Sequence, residues 1–251
     1  MIYNLIFGLS GGFATASWGA FKDSPYENFS LLSFLRSPLI TVVYYMGLLT
    51  IFTGNQSNIH NFVYLFSAIA LERLTQEYWK AFFRKNQRKN IYKIPQSFHI
   101  FGKVPTYTTR IIIGILITSL TSVIIILLSL LKYYGNYWII PSIILSIIPA
   151  IGGVWKDAPI EGFEILKFPR SFIVMFLSAF IIHSYTDNLA ILILGSAGLE
   201  RLIVEFYKTF IILSTPGKFF PTILNKQWYT NRTVFVASYF LSITLIIALW
   251  Q

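Results

Sequence analysis

The 251 residues carry only 12% charged side chains against 55% hydrophobic ones, with a formal net charge of +10. A soluble globular domain has about a quarter of its residues charged, so this balance excludes one. The absence of cysteine excludes disulfides, thiolate nucleophiles and thiolate metal sites.

The apolar runs are unbroken rather than alternating, which predicts spanning helices of about 20 residues and not barrel strands. In chain order the spans fall at about 2–21, 38–53, 60–82, 110–131, 137–155, 171–185, 188–212 and 232–250. No basic residue precedes the first run, so it reads as a helix of the mature protein and not a cleaved signal. It carries Gly8, Gly12, Ala16 and Ala20 at intervals of four, a face on which a second helix can pack closely. The second and sixth runs are short, which leaves open whether they cross or re-enter.

After the first span comes Lys22-Asp23-Ser24-Pro25-Tyr26-Glu27, then Arg36-Ser37; after the fifth comes Lys156-Asp157-Ala158-Pro159-Ile160-Glu161, then Arg170-Ser171. The third span ends in Leu71-Glu72-Arg73-Leu74 with Glu77 and Lys80, and the seventh in Leu199-Glu200-Arg201-Leu202 with Glu205 and Lys208. A weaker echo pairs Gly102-Lys103 and Tyr107 to Arg110 with Gly217-Lys218 and Tyr229 to Arg232. The expected fold is therefore all-α: a polytopic helical membrane protein of about eight transmembrane helices in two tandem four-helix repeats. Residues 1–132 form the first repeat, 133–136 an external linker and 137–251 the second. Four spans per repeat make the halves parallel, with a pseudo-twofold axis along the membrane normal.

Lysine and arginine favour the cytoplasmic side. Placing the basic loop 83–110 there puts every charged motif on the same face and both termini outside. Only Lys132 falls on the other side. The same loop suits anionic headgroups better than nucleic acid, and the lipid bilayer is the expected partner, with an oligomer or a complex open.

The sixteen repeated charges are the candidate ligand-binding residues: Lys22, Asp23, Glu27, Arg36, Glu72, Arg73, Glu77 and Lys80, then Lys156, Asp157, Glu161, Arg170, Glu200, Arg201, Glu205 and Lys208. Each copy is four against four, the balance that charges near hydrocarbon require. Helical spacing lets Arg73 meet Glu77 and Glu77 meet Lys80, and likewise Arg201, Glu205 and Lys208. Glu72 points to another neighbour, for which the Lys22–Glu27 loop is the natural partner. That loop also reads as a helix start, with Ser24 as N-cap, Pro25 at the first position and Glu27 closing a capping box. A short interfacial helix would follow from Asn28 to Leu35.

His60, His99 and His183 occupy unrelated positions, so no histidine site is duplicated and no metal is assigned; no cofactor or solute is named by the residues. Three functions fit. The first is a transporter or channel for a small charged or polar solute, with duplicated clusters at the cytoplasmic side. The second is a membrane-embedded enzyme acting on a lipid phosphate or headgroup, and the third a non-catalytic scaffold or complex subunit in which the charges only hold helices together.

Overall fold

Where they are described, the long apolar runs fold as helix, as backbone groups removed from water must bond within their own segment. The computed structural model describes residues 2–52, 60–85, 92, 96–100, 103–144, 146–147, 151, 167–213, 219–220 and 226–249. Among them the helices are α1 (Ile2–Glu27), α2 (Leu31–Phe52), α3 (Asn61–Tyr78), α4 (Tyr107–Ser129), α5 (Lys167–Ile182), α6 (Leu189–Phe206), α7 (Lys226–Asn231) and α8 (Thr233–Ala248). Residues 139–144 and 146–147 are also helical. Strand-like pairing among the described residues is confined to three isolated bridges.

Among the described residues, three helical segments are long and apolar enough to cross a membrane: Leu31–Phe52, Tyr107–Ser129 and Lys226–Ala248. The 22-residue α2 reaches roughly 33 Å at 1.5 Å per residue. It is therefore longer than the second apolar run suggested, because the polar segment Ser33 to Ser37 is helical too. On α4 only Arg110 and Gly114 are buried, leaving an apolar surface suited to lipid.

α3 lies at the centre, with Phe62 through Ile69 all buried. Such all-round burial marks a helix surrounded by others. It packs on α1, α2 and α6, while α6 packs in turn on α5 and α4, and α1 on α2 and α8. Glycines set the closest approaches. A Cβ at Gly12 would stand 2.3 Å from Pro38 Cα, and one at Gly198 would stand 1.9 Å from the Phe66 carbonyl oxygen. Side chains would force these pairs apart.

α3 and α6 run side by side in the same direction. Gly195 meets Val63 and Ser67, Gly198 meets Phe66, and further along Arg201 shares a cavity with Glu72 and Arg73. Both helices end in a π turn, Trp79–Phe83 and Tyr207–Ile211. The closing bonds are equivalent: Arg84 N–H donates to the Trp79 carbonyl at 2.8 Å, and Ile212 N–H to the Tyr207 carbonyl at 3.0 Å. The first π turn presses Phe82 onto α4 at Gly114, where a Cβ would come within 2.5 Å of the Phe82 Cβ.

The Ser24-Pro25-Tyr26-Glu27 segment does not start a helix. It forms the last turn of α1, with Ser24 and Pro25 buried. α1 stops at Asn28, whose φ of 67° is left-handed, and whose N–H donates to the Ser24 carbonyl at 3.2 Å. Pro25 has no N–H for the Phe21 carbonyl, so the α1 ladder loses one bond just before it ends. The expected interfacial helix from Asn28 to Leu35 is thus replaced by a three-residue corner and the first turn of α2.

At the opposite end from the charged motifs, Lys132 lies 3.3 Å from Asp187. Tyr133 N–H donates to the Asp187 carbonyl, and Leu189 N–H to the Leu131 carbonyl, each at 3.0 Å. The Tyr133 hydroxyl donates to the carbonyls of His183 and Thr186. Burial, reinforced by the Asp187 charge, raises the Tyr133 phenol above its ordinary pKa, so it stays a donor.

Candidate functional site

The ends of α1, α2 and α3 leave a cavity of about 380 Å³ between them, with Arg84, Tyr92 and Gln96 closing one side. This is within the size range of small-molecule sites, but the walls are unusually polar. α1 contributes Asp23, Ser24 and Glu27; the corner and first turns of α2 contribute Ser30, Ser33, Arg36 and Ser37; α3 and its π turn contribute Glu72, Arg73, Gln76 and Lys80. Arg201 reaches in from α6.

Many of these charges are paired. Arg73 lies 2.5 Å from Glu77 one helical turn on, and Lys80 lies 3.4 Å from the same carboxylate. Both pairs match the spacing in the sequence. Arg201 lies 2.8 Å from Glu205, and Lys22 lies 2.8 Å from the other oxygen of that carboxylate. Glu205 is 2% exposed, so two cations hold it inside the protein. The segment expected beside Glu72 does share the cavity with it through Asp23, Ser24 and Glu27, but its lysine, Lys22, pairs with Glu205 on α6. The Tyr92 hydroxyl donates to Glu27. Burial and then the Glu27 charge raise this phenol above its ordinary pKa, so it too remains protonated.

Two opposite charges on the cavity wall have no ion partner among the described residues: Glu72, which is 3% exposed, and Arg36, which is exposed. Gln76 stands between them. Its side-chain oxygen accepts from Arg36 Nη2 at 3.2 Å, while its nitrogen donates to Glu72 Oε1 and, at 2.7 Å, to Ser37 Oγ. A carboxamide can face a cation with its oxygen and an anion with its nitrogen. The Ser24 hydroxyl also lines the cavity, is 3% exposed and has no hydrogen-bond partner among the described residues.

In the second copy Lys156, Asp157 and Glu161 lie outside the described residues. Arg170, Glu200, Arg201, Glu205 and Lys208 are described, with Glu200 and Glu205 both buried. Among the described residues no three His, Cys, Asp or Glu side chains are grouped as metal ligands would be.

Of the weaker echo, Gly102, Gly217 and Lys218 lie outside the described residues, while its two arginines make structural contacts. Arg110 donates to the carbonyls of Ala81 and Arg84 at the end of the first π turn, at 3.4 and 3.3 Å, with Tyr107 5.5 Å away. Arg232 lies 4.4 Å from the Tyr229 ring and 4.7 Å from that of Phe21. Two contributors escaped a reading built on repeated charges: Gln76, which is neutral and has Val204 at its counterpart position, and Tyr92, in a basic loop. The sequence signal for Gln76 is an amide one turn beyond Glu72 on an apolar helix.

Comparison with protein-family models, with curated proteins and with solved structures gave no match.

Proposed function

We propose that the chain is an integral membrane transporter or channel for a small charged or polar solute, and that the cavity at the ends of α1, α2 and α3 is where the solute is held. In this reading two parallel four-helix halves supply eight spans, with the charged motifs cytoplasmic and both termini outside. The cavity is the observation that carries it: charged, hydroxyl and amide side chains converge on one space beside helices with lipid-suited surfaces. A polar chamber against apolar spans is costly to keep unless something polar occupies it. The equivalent buried carboxylates and π turns of α3 and α6 support a path shared between two related halves.

A second reading is favoured at one place. Glu205, clasped by Lys22 and Arg201, joins α1 to α6 and suits a structural clamp. Within the transporter it serves as the fixed part against which the cavity is built.

The test is flux. Full-length protein in liposomes is challenged with labelled amino acids, ethanolamine and phosphate. The proposal expects uptake of at least one, lost in Glu72→Gln; an inserted, folded protein that moves none of them overturns it. Because the chain has no cysteine, single cysteines report sidedness cleanly. A cysteine at Tyr137 should react with an impermeant reagent from outside, and one at Ser30 only from the cytoplasmic side; reaction of both from one side removes the eight-span arrangement.

A further inference from the structure

Among the described residues, the two cavity charges without a salt-bridge partner differ in sign, and Gln76 stands between them. The carboxylate of Glu72 is buried on α3, bonded to the Gln76 amide with the Ser37 hydroxyl beside it. The guanidinium of Arg36 has only the Gln76 oxygen among the described residues. Every other carboxylate with a contact given above is shared with a lysine, an arginine or a phenol. If the cavity took a simple anion, Glu72 would repel it; if it took a simple cation, Arg36 would do so. Were the two meant to neutralise each other, direct contact would serve, yet an amide is interposed and held by bonds to both and to Ser37. The hydroxyl of Ser24, buried on the same wall with no partner among the described residues, adds a further hydrogen-bonding group.

We propose that the cavity binds a small zwitterion, its ammonium on Glu72 and its anionic group on Arg36, the two ends separated by a short spacer that spans Gln76. The shared chemistry is that of a free amino-phosphate or amino-carboxylate and of an aminophospholipid headgroup. This deepens the transport reading of the same cavity and rests on it, but the two fail separately. Binding without flux removes transport and keeps the zwitterion site, whereas flux of a singly charged solute unaffected by Arg36→Gln removes the zwitterion and keeps transport.

Trp18 and Trp79 line the cavity, so tryptophan emission of the purified full chain reports occupancy. Phosphoethanolamine is titrated against ethanolamine alone and inorganic phosphate alone. It should bind at least about ten-fold more tightly than either, since each charge-assisted contact is worth on the order of a decade in affinity. Glu72→Gln and Arg36→Gln should each reduce it to the single-charge level. Phosphate affinity should fall in Arg36→Gln and not in Glu72→Gln. Nanodiscs of phosphatidylethanolamine that block phosphoethanolamine binding, where phosphatidylglycerol nanodiscs do not, would assign the headgroup as the source; free access in both would assign the soluble molecule. Equal binding of all three probes, or a folded Arg36→Gln protein with unchanged phosphoethanolamine affinity, overturns the proposal. Arg36 is exposed, so this variant carries the test even if Glu72→Gln fails to fold.

Discussion

Lys22 and Glu205, 183 positions apart in the chain, stand 2.8 Å apart, and the carboxylate they share with Arg201 is almost wholly buried. Lys22 lies just before the last turn of α1 and Glu205 lies in the last turn of α6, so one ion pair ties the first helix to the second half of the protein. A buried carboxylate with two cations is self-consistent only while all three are present.

Removing the anion should therefore unfold more than a contact. Glu205→Gln leaves Lys22 and Arg201 facing each other in a buried place, and we expect a loss of about 3–5 kcal/mol, the usual cost of breaking a buried pair. Glu77→Gln, in a network about a third exposed, should cost below about 1 kcal/mol. Denaturant titration of both variants in the same micelle checks the contrast; similar losses would contradict it.

Gly198 should tolerate no side chain, since a Cβ there comes nearer to a neighbouring atom than at any other described glycine. Even the single methyl of Gly198→Ala meets the Phe66 backbone, which cannot rotate away. Overpacking typically costs about 1–3 kcal/mol, and the thermal midpoint should drop accordingly. Gly19→Ala, where a Cβ meets nothing within 4 Å, is the matched control and should be near neutral.

Tyr92 gives a stability dependence at alkaline pH. Its phenol stays protonated in the fold well above the value of about 10 that an unfolded tyrosine has. The stabilisation is thus fully present below about pH 10 and lost as pH rises beyond it, because the unfolded chain releases the proton first. Tyr92→Phe keeps the ring stacked on Phe219, 5.2 Å away, but removes the titrating group and the bond to Glu27. The variant should be weaker at neutral pH by about 1–3 kcal/mol. Its deficit should shrink between pH 10 and 12, read from unfolding curves across that range.

Helices and charge pairs that depend on nearby residues were legible in the sequence. Arg73–Glu77, Arg201–Glu205 and the close approach at Gly12 follow from spacing along one helix, which a linear pattern records. What depends on direction in space was not. Ser24-Pro25-Tyr26-Glu27 has the chemistry of a helix start, yet it is equally compatible with a last turn, and only the left-handed Asn28 after it decides. The pairing of Lys22 with Glu205 was not legible either. Gln76 was invisible for another reason: duplication was read through charge, and the residue that separates two charges carries none.

Each π turn contains one residue more than an α turn of the same bonds would need. The carboxylates and arginines precede it in both helices, while Lys80 with Phe82 and Phe83, or Lys208 with Phe210, belong to it. Loss of a single residue there would let the backbone relax to α geometry, leaving Glu72 and Glu200 in place while turning everything downstream by about 100°. The two turns are thus points where chain length is uncoupled from the register of the charges. A one-residue deletion at Ala81 would change how the loop meets Gly114 on α4 without disturbing the pairing of Glu77 with Arg73.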